Sequence, residues 1–241
     1  MCDGKKELTK LTFDGRRGFL KKAGLAAVGT ALGSQALAAS PPKPQNVISA
    51  DEALNRLMEG NKRYASGSST LHDFNAERAA LVGGQNPYAC ILSCSDSRIA
   101  PEYAFDSSRG DLFVVRVAGN FVSVNGLASL EYAVTYLGTR LLMVLGHQGC
   151  GAIAGAISTI RDGSVLPGSL PTLIDALAPS VGLAIDEPGD LLENAIKENV
   201  QLNVAALRAA SPILSKMVAK DELRVVGGVY NLETGKVDLL S

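Results

Sequence analysis

The 241-residue chain has four cysteines, two histidines and no tryptophan, with a formal net charge of only −1. It also lacks an apolar run long enough to span a bilayer, which takes about 18 or more residues. Each shortage excludes something. The cysteines do not form a disulfide framework, because Cys2 stands at the amino terminus and the other three are not spaced as in a small secreted scaffold. Cys90 and Cys94 share one strand-like segment, where about 3.3 Å per residue sets their Cα atoms about 13 Å apart, beyond bridging. Cys90 alternates there with Ile91 and reads as a small buried hydrophobe. Residues 1–38 hold seven Lys/Arg and three Asp/Glu, leaving 16 basic against 21 acidic residues in the remainder. That balance excludes nucleic acid as the main partner. No internal repeat or low-complexity domain is visible, and 46% hydrophobic residues suffice for one core.

The amino-terminal segment reads as an export signal. Arg16-Arg17-Gly18-Phe19-Leu20-Lys21-Lys22 resembles a twin-arginine core, and Ala23 to Leu37 is apolar but diluted by Gly24, Gly29 and Gly33. Ala36-Leu37-Ala38-Ala39 offers cleavage after Ala38 or Ala39, and Pro41, Pro42 and Pro44 follow. The expected organisation is a signal peptide over residues 1–38, a linker over 39–48 and a catalytic domain over 49–241. The expected location is the periplasm, with the twin-arginine export machinery as a partner and no membrane contact in the mature form. Export in the folded state would let thiolates capture a metal before they meet an oxidising compartment.

Beyond the linker, Ser49 to Arg63 predicts a helix, capped by Ser49 with Glu52 three residues on, packed outside the main sheet or against a partner subunit. A polar loop follows through Gly67, Ser68 and Ser69, with His72 as a solvated residue. Strands are expected at Tyr88 to Ser93, Leu112 to Val117 and Leu141 to Leu145, and helices at Gly126 to Leu137, Gly151 to Ile160 and Leu191 to Leu207. Leu223 to Tyr230 and Lys236 to Leu240 close the chain around a turn at Glu233-Thr234-Gly235. Uninterrupted apolar strands alternating with helices imply an α/β fold whose parallel sheet is covered on both faces.

The chemistry concentrates in Cys94, His147 and Cys150. Cys94 follows one apolar run and His147-Gln148-Gly149-Cys150 follows another, so two neighbouring parallel strands can bring these side chains to one crevice at their carboxyl ends. Two thiolates and an imidazole hold zinc (Zn2+) and leave its fourth position for water, the catalytic arrangement rather than the closed structural one. Zinc makes hydroxide available near neutral pH, and two thiolates cancel most of the ion's charge, which eases release of an anionic product. Asp96 is either a fourth ligand that closes the site or the hydrogen-bond acceptor for zinc-bound hydroxide. Arg98, two residues on, can keep Asp96 ionised and off the metal.

These residues resemble the β-class carbonic anhydrases. The likeness rests on Gly84-Gln85-Asn86-Pro87, the CSDSR run from Cys94 to Arg98, Val115-Arg116-Val117-Ala118-Gly119-Asn120, Ser129-Leu130-Glu131-Tyr132-Ala133, HQGCGA from His147, and Gly228-Val229-Tyr230 with Thr234-Gly235. The resemblance implies a mostly parallel sheet flanked by helices, an assembly at least dimeric, and reversible hydration of CO₂ to bicarbonate and a proton. It also implies that Gln85 donates its amide to a substrate oxygen and that Phe113, Val117 or Ala118, and Tyr132 line an apolar CO₂ pocket. Because the family's site lies between subunits, Gln85, Phe113 and Tyr132 are expected to serve the neighbouring protomer's zinc. Gly151, at a helix start, offers an N–H to an anion. Two departures matter: Val117 stands where members often carry Asn, and without tryptophan the Trp-lined bicarbonate pocket of one allosteric subgroup cannot form. Gln85 matches the plant-like subgroup, so an open, non-allosteric site is expected.

Three rival readings remain at this level. Gly149-Cys150-Gly151-Ala152-Ile153-Ala154 satisfies a dinucleotide fingerprint, but no strand with a terminal acidic residue follows in Asp162 to Pro171. A closed Cys₂-His-Asp zinc or thiol-sensing module would bind metal and hydrate nothing. A hydrolase of CS₂ or COS could use the same scaffold.

Overall fold

Continuous apolar runs build the centre of the sheet in a computed structural model that describes residues 48–240. The expected signal peptide and nearly all of the expected linker lie outside the described residues. Strands β1 (Ala89–Ser93) and β3 (Leu141–His147) are buried along their whole length. They pair in parallel, with β2 (Leu112–Arg116) beside β1 and β4 (Arg224–Tyr230) beside β3. β5 (Val237–Leu240) joins β4 antiparallel, giving the order β2-β1-β3-β4-β5. This is the expected α/β architecture, and β3 runs two residues further than its apolar run, far enough to include His147.

Helices cover both faces. On one side α1 (Ala50–Ala65) sets Ala53, Leu54 and Leu57 against Ile91, Leu141 and Met143. Leu57 is fully buried, so truncation to alanine should cost about 2–5 kcal/mol. The helix starts as its sequence predicts, with Ser49 Oγ accepting from the Glu52 N–H at 3.1 Å, acidic residues in the first turn and basic ones in the last. It belongs to the core of its own protomer. Buried Asn61 fastens it there, donating to the carbonyls of Ala104 and Gly235 at 2.8 Å each and accepting from the Val237 N–H at 2.9 Å.

On the other face α4, spanning Val124–Tyr136, and α7, spanning Leu191–Ala209, pack Leu130, Val134, Val200 and Val204 on Cys90, Leu92, Leu142 and Val144. Close approach of α7 requires glycine beneath it. A Cβ on Gly146 or on Gly227 would lie 2.6 Å from a Val200 methyl, so only a strand surface without side chains admits that valine. A third cluster joins α5 (Gly151–Asp162), α6 (Leu170–Ala184) and α7 around Cys94 and Cys150.

Two helices lie in segments for which the sequence predicts no element. α2 (Phe74–Leu81) forms in the first, capped by Asp73, whose carboxylate accepts from the N–H groups of Asn75 and Ala76 at 3.0 Å. It buries no residue, so no apolar period announces it. α6 forms despite Pro171 and Pro179; the first sits in the opening turn, where a missing N–H costs nothing. His72 lies in the loop before α2 as expected but is only partly exposed: its ring stands 3.8 Å from Glu77 and 3.7 Å from Asp106, with 21% of the side chain exposed. Short helices α3 (Pro101–Ala104) and α8 (Leu214–Ala219) complete the described elements. Among the described residues no helix is long and apolar enough to cross a membrane.

Candidate metal centre and active site

From β1 the chain passes to β2 at one edge, and from β3 it passes to β4 on the other side. Such divergence leaves a crevice at the carboxyl ends of the two central strands. Cys94 follows β1, His147 ends β3, and Cys150 is the N-cap of α5. Their ligand atoms lie within 4.8 Å of one another, and all three residues are buried. The His147 Nδ1–H donates to the Gln148 carbonyl at 2.9 Å, which leaves Nε2 as the bare nitrogen. Nε2 is buried with no hydrogen-bond partner among the described residues. A buried lone pair beside two sulfurs is satisfied by a soft or borderline cation, and this donor set fits zinc.

The electrostatics prepare the site for a cation. The Cys94 thiol is drawn down by the Cys150 thiol beside it, against the effect of burial, with further help from His147 and the Gly119 N–H. The Cys150 thiol is pushed up by the neighbouring Cys94 sulfur and by burial. Burial disfavours a charged His147, but the adjacent Cys94 outweighs it and raises the imidazole. A dication held by Cys94, His147 and Cys150 would reverse the balance, favouring a deprotonated second thiol and a neutral imidazole. Cys90 stays apart, on the apolar face below α4, where burial pushes its thiol up to about 12.

Around this group the loops are cross-braced. Arg98 donates from Nε to Asp96 Oδ1 at 2.9 Å and from Nη2 to Asp96 Oδ2 at 2.7 Å. The same Nη2 reaches the Gly149 carbonyl at 3.0 Å, which ties the Cys94 loop to the loop between His147 and Cys150. The Arg98 guanidinium holds the Asp96 carboxyl well below the usual carboxylate range; modest burial opposes this and the Arg98 N–H assists. Asp96 Oδ2 lies 3.8 Å from His147 Nε2, beside the ligand group. Arg116, at the end of β2, donates to three carbonyls of the CSDSR segment and its exit: Cys94 at 2.9 Å, Asp96 at 2.7 Å and Ile99 at 2.8 Å. In the sequence it was only one letter of a motif.

Residues 89–237 match the family model described as carbonic anhydrase. Carbonic anhydrase 2 of Mycobacterium tuberculosis is 38% identical over 188 residues, which cover 78% of this chain and 91% of that protein. The solved β-carbonic anhydrase CcaA superposes with a TM-score of 0.61 at 29% identity, covering 78% of this chain and 95% of its own. A tetrameric β-carbonic anhydrase from the ascomycete Sordaria macrospora gives a TM-score of 0.63 at 26% identity over 79% of this chain and 98% of its own.

The chain belongs to the β-carbonic anhydrase family.

In this carbonic anhydrase the remaining expected residues separate into two groups. Gly151 opens α5 beside Cys150, and the Val117 carbonyl accepts from the Ser95 N–H at 3.2 Å, so both stand at the metal end. Phe113 pairs with Cys90 in the parallel register, whereas Arg116 pairs with Ser93. Phe113 is therefore about 13 Å upstream of the level of Cys94. Gln85 is exposed, before β1 begins, toward the same amino-terminal end. Tyr132 lies beside Phe113 with the rings tilted and their centroids 6.3 Å apart, and is 43% exposed. Gln85, Phe113 and Tyr132 therefore lie at one end of the strands, and Gly151 lies with the metal group at the other. The rival dinucleotide reading fails here, because α5 is followed by α6, α7 and α8 before the next strand, β4.

Proposed function

We propose that this carbonic anhydrase hydrates CO₂ reversibly at an open zinc site held by Cys94, His147 and Cys150, as in the plant-like subgroup. The observation that carries the open form is the grip of Arg98 on both oxygens of Asp96. Bound by these three residues, zinc supplies a nucleophilic hydroxide at neutral pH, which attacks the carbon of CO₂. Asp96 remains anionic and accepts the nucleophile's hydrogen bond, which orients a lone pair toward the substrate. Arg98 keeps that carboxylate from becoming a fourth ligand. The N–H of Gly151, at the start of α5, faces the bicarbonate that leaves.

The register of β1 and β2 supports a site shared between protomers. Within one chain Gln85 and Phe113 stand a strand's length from the metal group, so they act on the zinc of a neighbouring subunit in a homodimer or higher homo-oligomer. There Gln85 donates its amide to a substrate oxygen, and Phe113 with Tyr132 forms an apolar pocket for CO₂. Residues 1–38 serve as a twin-arginine signal, and the mature enzyme works in the periplasm.

Stopped-flow CO₂ hydration combined with a zinc count tests the reading. About one zinc per chain with rapid hydration is expected. One zinc with no hydration would reveal a closed binding module, and turnover of COS or CS₂ without CO₂ would reassign the substrate.

A further inference from the structure

Helix α7 buries two asparagines on a face otherwise filled by Ala195, Ile196, Val200 and Val204. Asn199 is 1% exposed and Asn203 8%. An amide in such a place is costly unless its donors and acceptors are met. Asn199 Nδ2 donates to the Gly119 carbonyl at 2.8 Å. Asn203 Nδ2 donates to the Asn199 carbonyl at 2.7 Å and to Asn199 Oδ1 at 3.1 Å, while Asn203 Oδ1 accepts from the Val122 N–H at 2.7 Å. The network has one direction only. Flipping either amide would turn an NH₂ group toward another donor or set oxygen against oxygen.

The loop gripped in this way carries a further contact. The Gly119 N–H points at Cys94 Sγ from 3.3 Å. Gly119 holds a left-handed φ of +84°, and a Cβ there would lie 2.9 Å from both Leu177 methyls, so α6 also packs closely on the loop. The loop is pinned between two helices with its N–H aimed at a ligand sulfur.

We infer that Asn199 is a positioning residue for the zinc thiolate Cys94, acting through Gly119; this rests on the zinc reading above. The N–H to sulfur bond withdraws electron density from the thiolate and fixes the Cys94 rotamer. Less negative charge then reaches the metal, which keeps it a stronger Lewis acid than two unrestrained thiolates would allow.

Cobalt-substituted enzyme reads this directly through its thiolate-to-cobalt charge-transfer band. Asn199→Ala should bind one metal per chain, shift that band to lower energy, and lose about ten-fold in kcat with zinc content unchanged. Leu207→Ala, two turns along the same helix, weakens packing without touching the loop and should leave the band in place. If Asn199→Ala does not fold, Asn203→Ala carries the test, because it frees the Asn199 amide and must move the band the same way. In wild-type protein loaded with an NMR-active cadmium isotope, the Gly119 amide proton should couple to the metal through sulfur. An unmoved band in a folded variant, or no coupling in the wild type, would overturn the inference. A wild-type protein that binds metal but hydrates no CO₂ would instead defeat the functional reading and leave both spectra interpretable.

Discussion

Asp96 and Arg98, two residues apart, form a fork-to-fork pair, with Nε on Oδ1 at 2.9 Å and Nη2 on Oδ2 at 2.7 Å. The backbone N–H of Arg98 adds a third contact to Oδ1, also at 2.9 Å. The pair is partly exposed, so as a surface ion pair it would contribute little stability. Its value is directional, because it decides where a carboxylate points beside a metal site.

Asp96→Asn should keep zinc and lose most turnover, since the amide cannot take the acceptor role of an anion. Arg98→Ala should release Asp96 onto the metal and lower activity with zinc content unchanged. X-ray absorption would then show a carboxylate oxygen in the fourth position. Full activity in Arg98→Ala, or Asp96 on zinc in the wild type even at alkaline pH, would defeat the open-site mechanism.

Alanine at Cys94, His147 or Cys150 should abolish metal retention and hydration together, with sulfur and nitrogen at about 2.0–2.3 Å from zinc in the wild type. Cys90→Ala should keep both, because that thiol is held neutral in the apolar layer under α4. Metal analysis of the four variants decides the matter. Zinc loss on Cys90→Ala alone would show that the wrong thiol has been assigned.

Hybrid oligomers test the shared site. In a dimer of one Cys94→Ala chain and one Gln85→Ala chain, a Gln85 acting across the interface leaves one complete site, hence about half the wild-type rate. A Gln85 acting within its own chain leaves none. Tagged co-expression and stopped-flow rates on the purified hybrid separate the two.

Acid stability should depend on Asp106, whose side chain is 2% exposed and accepts from Arg63 Nε at 2.6 Å and from Thr70 N and Oγ1 at 2.8 and 2.9 Å. Burial alone would raise this carboxyl, but Arg63 and Thr70 outweigh it and hold it below its ordinary value. Its contribution is therefore complete above about pH 4, the unfolded carboxylate value, and fades as pH falls through the lower folded value. Asp106→Asn should cost about 1–3 kcal/mol at neutral pH and flatten the acid limb in denaturant titrations. Equal acid sensitivity in both proteins would refute the assignment.

Replacing Arg16 and Arg17 by lysine should retain the precursor in the cytoplasm, and the exported wild type should begin at Ala39 or Ser40. Fractionation and amino-terminal sequencing measure both. Normal periplasmic yield of the double variant would remove the export reading.

Legibility followed local physics. The strands β1 and β3 stood out through their apolar runs, the latter at Leu141 to Leu145, because burial on both faces demands unbroken apolar residues, and α1 and α7 because each carries an apolar stripe at helical spacing. α2 was hidden because it buries nothing, and α6 because Pro171 and Pro179 mimic a loop. Asn61, Arg116, Asn199 and Asn203 were equally hidden. Their partners are distant backbone carbonyls and N–H groups, which every residue possesses and no side-chain pattern marks.

By itself the sequence determined the fold class, the candidate ligand set Cys94, His147 and Cys150, and the Asp96 and Arg98 pair, since donor chemistry and short spacings are written in residue types. Only the tertiary structure decided that His147 Nε2 is the bare nitrogen, that Arg98 spans two ligand loops, and that Phe113 and Gln85 stand at the far end of the strands from the metal group. The physical reason is that each depends on strand register and loop conformation. Those are set by packing between segments far apart in the chain, such as α7 on Gly146 and Gly227, and not by the residues on either side.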